Sequence, residues 1–374
     1  MVDLTIVWLG LFVVFTGSSS IFYLYLRKSF RNPWNLRIDK DFEPSVTILV
    51  PAHNEEDAIK NKLQNIKDVL YPKAKMEIIV ADDGSTDNTL ARVREFTEEN
   101  QELQVKIVKS DQRLGKARIL NKALEQAKNE IIIVSDADSF WPSDILAKSL
   151  HYLSDPAVGA ITGLGVLNNA SQSWITKAET NYLGITSLIR VGESKISSTI
   201  RFEGGFCAYK KEAFEKFDDE SGSDDSGTAL EIVQHNFRTI AIPETIFYTA
   251  FPTRLAERVK VKARRANHLV RLWTKCFSLL LKKRLLLPKR IAVGEILLFI
   301  FDPIIFLFLL ATSFAIVFTS PLSLFSLFLI VGVAGLLVFV RSYFIEVVLD
   351  NLILIYALFS SFLGKRYISW EKSK

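Results

Sequence analysis

The stretch IIIVSDADSF, residues 131–140, sends two aspartates out of the end of four branched aliphatics. What at that edge would need two negative charges one residue apart? Residues i and i+2 of an extended chain point to the same side, so Asp136 and Asp138 are expected to face one cation together. There is no HExxH and no Cys/His ligand spacing in the chain, so zinc is not indicated. A hard divalent ion, Mg2+ or Mn2+, takes few carboxylates and fills its other positions with water and substrate phosphates. That chemistry suits a nucleoside diphosphate whose charge must be neutralised as it departs.

Two more polar clusters sit at equivalent places. His53-Asn54-Glu55 follows the apolar run VTILV (46–50), and Asp82-Asp83 follows EIIVA (77–81). Between the runs, Ile59, Leu63, Ile66 and Leu70 recur at helical spacing, as do Leu90, Val93 and Phe96. VKIVK (105–109) reads as a third strand, GKARILNKALEQA (115–127) as a third helix and 131–135 as the fourth strand. Short buried strands alternating with helices predict an α/β fold with a mostly parallel central sheet. Ligands of such sheets bind beyond the carboxyl ends of the strands, so the three clusters are expected on one rim. Neither GxGxxG nor GxxxxGK[ST] occurs, which argues against dinucleotide and P-loop cradles.

The ends of the chain are different in kind. Residues 4–26 carry no charge and are long enough to cross a hydrocarbon core of about 30 Å as a helix. Asp3 precedes them and Arg27, Lys28 and Arg31 follow, a layout that predicts an uncleaved anchor with its C-terminal end cytoplasmic. A second apolar region offers candidate spans at 291–318, 322–340 and 345–363, entered through the basic LLLKKRLLLPKR (279–290). The expected organisation is an anchor (1–30), a cytoplasmic α/β domain (31–253), basic amphipathic interface helices (254–290) and a C-terminal membrane region (291–374) of about three segments. This describes an integral protein of the cell membrane. Three full crossings would leave the basic tail outside, so one segment is expected to be re-entrant or interfacial. Asp302, Glu346 and Asp350 fall inside apolar spans and require a partner or a polar cavity.

The formal charge of +5 conceals a strong segregation. Residues 254–290 hold thirteen Lys or Arg against Glu257 alone. Such a belt beside a membrane segment suits anionic headgroups or phosphate-bearing substrates. Nucleic acid is not indicated, because neither zinc-finger spacing nor interleaved stacking aromatics accompany the run. Leu255, Val259, Ala266, Leu269, Val270, Trp273 and Phe277 form an apolar stripe suited to the membrane interface. Lys262 interrupts it, which weakens the pattern unless the long stem lets the ammonium snorkel. Two cysteines, Cys207 and Cys276, build no disulfide framework and agree with a reducing compartment.

In chain order, VTILVPAHNEE, VADDGSTDNT, RLGKARILNKAL and VSDADSF resemble the catalytic domain of membrane-bound family 2 glycosyltransferases of the GT-A fold. Relatives of this kind include polyprenyl-phosphate sugar synthases, polysaccharide synthases and archaeal or bacterial glycolipid mannosyl- and glucosyltransferases. The resemblance implies that Pro51, His53 and Glu55 line a nucleoside pocket and that Asp82 and Asp83 contact base and ribose. It places Arg113 and Lys116 near the diphosphate and makes Asp136 and Asp138 the metal site. FEGGFCAYKKEAF (202–214) resembles the family's acceptor loop, with Gly204 and Gly205 letting the backbone approach the sugar. DDSGTALEIVQHNFRTIAIPETIFYT (224–249) resembles the stretch in which an acidic pair precedes a helix, so Asp224 and Asp225 fall on that pair and Asp225 is the candidate general base. Processive synthases carry Q-x-x-R-W further on; here the matching positions are Lys262, Arg265 and Ala266. Without the Trp as a stacking surface, transfer of one sugar is expected, with Arg265 on the acceptor side.

The implied activity is an inverting, metal-dependent transfer from a nucleotide-sugar donor, GDP-mannose first, to a lipid-linked acceptor. A hydroxyl of a glycolipid is favoured, because a phosphate acceptor is already anionic and needs no base. The alternative is a polyprenyl-phosphate synthase using GDP-mannose or UDP-glucose. A processive polysaccharide synthase and a non-catalytic nucleotide-sugar-binding membrane protein rank lower.

Overall fold

The structure, a computed structural model, describes residues 3–220 and 223–364. The chain opens with helix α1 (Leu4–Phe30), then alternates through β1 (Val46–Ala52), α2 (Ile59–Lys67), β2 (Met76–Asp82), α3 (Thr89–Glu99), β3 (Gln104–Lys109), α4 (Lys116–Leu124) and β4 (Ile131–Val134). There follow α5 (Ile145–Ser149), β5 (Val158–Leu167), α6 (Trp174–Ile196), β6 (Cys207–Lys210), α7 (Asp224–Gln234) and β7 (Arg238–Thr249). The remaining described residues form α8 (Leu255–Leu281), α9 (Lys289–Ile296), α10 (Asp302–Thr319), α11 (Leu324–Phe339) and α12 (Arg341–Phe362) with short connections.

Two compact units result. Residues 28–170 and 180–251 form one of them, built on a seven-stranded sheet of order β3-β2-β1-β4-β6-β5-β7. β1 pairs in parallel with β2 and β4, and β2 with β3, while β6 runs antiparallel to both β4 and β5. The sheet is therefore mixed but mostly parallel, as the strand–helix alternation predicts. Every residue of β1, β2 and β4 is buried, which is why these strands read as continuous apolar runs rather than alternating ones. Ile48, Val50, Ile78, Val80, Ile133 and Phe206 belong to one core under α2 and α3, whose Ile59, Leu63, Ile66, Val93 and Phe96 pack into it. Helix α2 stops earlier than its stripe suggests. Leu70 lies beyond it, 70% exposed, because Tyr71-Pro72 disfavours further helical backbone.

The fourth strand is also shorter than expected, and this changes the setting of the aspartates. β1 and β4 stay paired only as far as Leu49↔Val134, with one more hydrogen bond from Ser135 N to Leu49 O. Beyond it the chain turns, and Ser139 N donates to Asp136 O at 3.2 Å. Asp136 and Asp138 thus sit in a turn, and the alternation argument for their common facing does not apply.

The other unit gathers the N-terminal segment to Arg27, Ser171–Glu179 and the described residues from Pro252 to Gly364. Three of its helical stretches, Leu4–Phe30, Lys289–Thr319 and Tyr343–Phe362, are long and apolar enough to cross a membrane. A π-helical turn at Leu297–Phe301 joins α9 to α10 within the second of these. The 16 residues of α11 reach only roughly 24 Å, short of a core of about 30 Å. The charges inside the apolar helices have partners. Asp302 accepts from the Ser18 and Ser19 hydroxyls of α1 at 3.1 and 2.6 Å. Glu346 and Asp350 of α12 meet Arg258 and Lys262 of α8; Lys262 Nζ lies 2.9 Å from Asp350 and 3.3 Å from Glu179. Lys262 therefore does not snorkel. It is buried, with its ammonium turned inward onto three carboxylates.

Candidate active site

The carboxyl ends of β1, β2 and β4 do bring the three polar clusters to one rim, because these strands are parallel neighbours. Pro51 is buried near the end of β1, opposite Ala81 and two residues past the last β4 pair, so its missing N–H breaks no ladder there. His53 uses its Nδ1 on the Asp83 carbonyl at 2.9 Å. Glu55 is buried, and its N–H donates to Thr89 Oγ1 at 2.8 Å, tying the end of β1 to the start of α3.

The two aspartates after β2 divide their work. Asp83 is fully buried and both its oxygens accept backbone N–H bonds, from Leu114 at 2.7 Å and Gly115 at 2.9 Å. It holds the turn that launches α4. Asp82, also buried, accepts from Ser85 N at 3.2 Å through Oδ2, and its Oδ1 has no hydrogen-bond partner among the described residues. A buried carboxylate oxygen in that state asks for a donor. Gly84 makes the close approach possible: its φ is +71°, and a Cβ there would stand 3.1 Å from the Gln112 backbone. Arg113 lies exposed on the same loop.

Gly115, at φ +95°, then sets Lys116 as the first residue of α4. A cation at a helix N-terminus opposes the helix dipole, so this lysine needs compensation. It has two carboxylates: Asp136 at 2.8 Å and Asp224 at 3.1 Å. Burial disfavours the Lys116 ammonium, yet these carboxylates outweigh it and raise its pKa well above the ordinary lysine value. Asp224 is pushed up to about 6, chiefly by burial, with Lys116 opposing and Asp225 and Asp136 adding to the rise. Asp224 and Asp225 form the first turn of α7, where the helix dipole favours them. Asp225 accepts from the Ser223 hydroxyl and from Ser226 N at 2.6 Å.

The glycine loop closes the group. Asp136 N donates to Gly204 O at 3.0 Å, and a Cβ on Gly204 would stand 2.6 Å from Asp136 Oδ2 and 2.8 Å from Lys116 Nζ. Only a residue without a side chain leaves both groups where they are. Phe202 N bonds Ser226 Oγ at 3.2 Å, which ties this loop to the start of α7. Lys116, Asp136, Gly204 and Asp224 are thus assembled from four separated stretches of chain. Asp138 is exposed on the turn beside them. Arg265 belongs to the helical unit, where it lies 3.3 Å from Glu179.

Sequence reasoning passed over three side chains that organise this rim. Arg190 is buried and pairs with Glu203 at 2.9 Å, and Glu203 accepts from Gly165 N at 3.0 Å, fixing the residue before the glycines. Lys62 is fully buried on α2, bonded to Ser135 Oγ and Ser139 O, both at 2.6 Å. Burial lowers its pKa to about 7, against the pull of Asp136 and Asp138. A signal for Lys62 was present: it stands between Ile59, Leu63 and Ile66 on the apolar face, where a lysine has no reason to be unless something inside needs it.

Among the described residues no group of three or more His, Cys, Asp or Glu side chains is arranged to hold a metal ion. Two carboxylates from one turn, oxygen donors only, with one of them open to solvent, fit a hard divalent ion that keeps water and substrate oxygens as its other ligands. They do not fit a closed structural site.

The sheet unit is similar to known proteins. Residues 47–218 match the family described as Glycosyl transferase family 2. Among solved structures, the mannosyltransferase PcManGT from Pyrobaculum calidifontis, in complex with GDP-Man and Mn2+, superposes with a TM-score of 0.84 at 29% identity, over 97% of this chain and 100% of that one. Among curated proteins, the poly-beta-1,6-N-acetyl-D-glucosamine synthase of Staphylococcus aureus is 29% identical over 195 residues, and that of Staphylococcus epidermidis 28% over 197. These alignments span 46% of each synthase, and about half of this chain.

Proposed function

Because the chain carries a glycosyltransferase family 2 domain of GT-A-like fold, we propose that it moves a single mannose from GDP-mannose onto a hydroxyl of a lipid-linked acceptor, with inversion at the anomeric carbon. The observation that carries the proposal is the convergence of Lys116, Asp136, Asp224 and Gly204 at the rim of the parallel strands. Likeness over almost the whole chain to a mannosyltransferase holding GDP-Man and Mn2+ supports the choice of donor.

In this reading Pro51, His53 and Glu55 border the nucleoside and Asp82 Oδ1 accepts from base or ribose. Mg2+ or Mn2+, held by Asp136 and Asp138, would neutralise the diphosphate. Lys116, kept charged by its two carboxylates, adds a fixed positive charge on the same side, with Arg113 nearby. Asp225 takes the proton of the acceptor hydroxyl as that oxygen bonds to the anomeric carbon, and the nucleotide leaves with the electron pair of the broken bond. The Gly204–Gly205 backbone gives the sugar room. The apolar helices of the other unit, to which Arg265 belongs, would anchor the enzyme in the cell membrane, with the catalytic domain cytoplasmic.

The names of the staphylococcal relatives favour a second reading, a polymer built from UDP-N-acetylglucosamine. Ala266, where processive synthases have Trp, speaks against it. Radiolabelled GDP-mannose, UDP-glucose and UDP-N-acetylglucosamine, each incubated with the purified protein and a membrane lipid extract, separate the two. The expected result is label from GDP-mannose in the organic phase, lost on chelation. Label from UDP-N-acetylglucosamine in an insoluble polymer would replace this proposal with the second.

A further inference from the structure

One buried cation touches both ends of the turn that carries Asp136 and Asp138. Lys62 Nζ donates to Ser135 Oγ, just before the first aspartate, and to Ser139 O, just after the second, each at 2.6 Å. The ammonium also lies 4.2 Å from the centre of the Trp141 ring. Ser135 Oγ passes the connection on, donating to Gly205 O at 2.9 Å, and Trp141 Nε1 donates to the same carbonyl at 2.8 Å. One helical turn further along α2, Asn65 accepts from Trp141 N and donates to Trp141 O, both at 2.8 Å. Residues 135–141 are thereby bolted to α2 through Lys62 and Asn65, and to the glycine loop through Ser135 and Trp141 as well as the Asp136 N–H.

A lysine costs stability when buried, and its ammonium demands acceptors. The acceptors found here are atoms of the turn itself rather than a carboxylate elsewhere, so its position and that of the turn are fixed together. We propose that Lys62 is a positioning residue for the donor site: it holds the Asp136–Asp138 turn in shape and locks that turn to the Gly204–Gly205 loop. The inference rests on the reading of Asp136 and Asp138 as donor-site metal ligands. Groups that orient metal ligands from behind commonly change metal affinity when removed, by about 10- to 100-fold.

The effect has a sign that separates positioning from charge. Taking a positive charge away from two carboxylates would by itself tighten cation binding, whereas loosening the turn weakens it. Mn2+ binding to the full-length protein, measured by electron paramagnetic resonance with GDP present, therefore tests the proposal. Lys62→Met, which keeps the stem and drops the ammonium, is expected to weaken Mn2+ binding about tenfold while retaining a cooperative melt. Ser135→Ala, which leaves Lys62 in place, is expected to weaken it about threefold, the equivalent of one hydrogen bond. Unchanged or tighter binding in Lys62→Met overturns the proposal, even if the melting temperature falls. If Lys62→Met does not fold, unchanged binding in Ser135→Ala overturns it. Equal Mn2+ binding by the wild type and Asp138→Ala is a separate outcome: it removes the metal-site reading, and this inference with it.

Discussion

Lys116 is where the residue-scale account is most exposed to test. It joins Asp136 on the donor side to Asp224 beside the candidate base, so protonating one partner disturbs both. Burial puts Asp224 at about 6, so below that pH its carboxylate is neutral and Lys116 loses an anionic partner. The lower limb of the pH–rate profile is expected near pH 6, with activity lost as pH falls through it. Asp224→Asn cannot titrate there, so its slower activity should keep a limb that has moved to lower pH. An unmoved limb assigns the titration to another group. Asp225 is a different case, because the base proposed here acts on the acceptor. Asp225→Asn is expected to lower kcat by about 10²- to 10⁴-fold with the KM for donor nearly unchanged. A comparable loss of donor affinity would mean that it binds rather than abstracts.

At the scale of elements, the two adjacent glycines answer to different neighbours. A Cβ on Gly205 would lie 2.1 Å from the Phe247 ring, a rigid obstacle inside the core, whereas one on Gly204 meets only the tips of Asp136 and Lys116. Gly205→Ala should therefore lower stability by about 1–3 kcal/mol, the range for overpacking. Gly204→Ala should melt as the wild type does and yet fail to turn over. Equal melting temperatures for the two variants would contradict the packing described here. The strands and most helices were legible in the sequence because their apolar spacing is set by burial, which periodicity reads directly. What periodicity could not read was where pairing stops. β4 ends at Val134, so the aspartates lie in a turn and α2 must hold them through Lys62. The inward turn of Lys262 is illegible for a related reason: its partners Glu179, Glu346 and Asp350 are 83 or more residues away, and no local pattern announces them.

The chain combines a stretch, residues 47–218, that matches glycosyl transferase family 2 with three helices, among the described residues, long and apolar enough to cross a membrane. Order along the chain made that combination visible, since charge and hydropathy segregate so sharply between the middle and the ends. The identity of the sugar was not visible, because the backbone and carboxylates of the proposed nucleotide pocket are compatible with several donors. The most direct test is the mass spectrum of lipids extracted after the purified protein has turned over GDP-mannose with Mn2+ in the presence of a membrane lipid extract. The account predicts one new species carrying a single added hexose, absent with Asp138→Ala or a chelator. A ladder of successive sugars, or a product formed equally well without divalent metal, would contradict it.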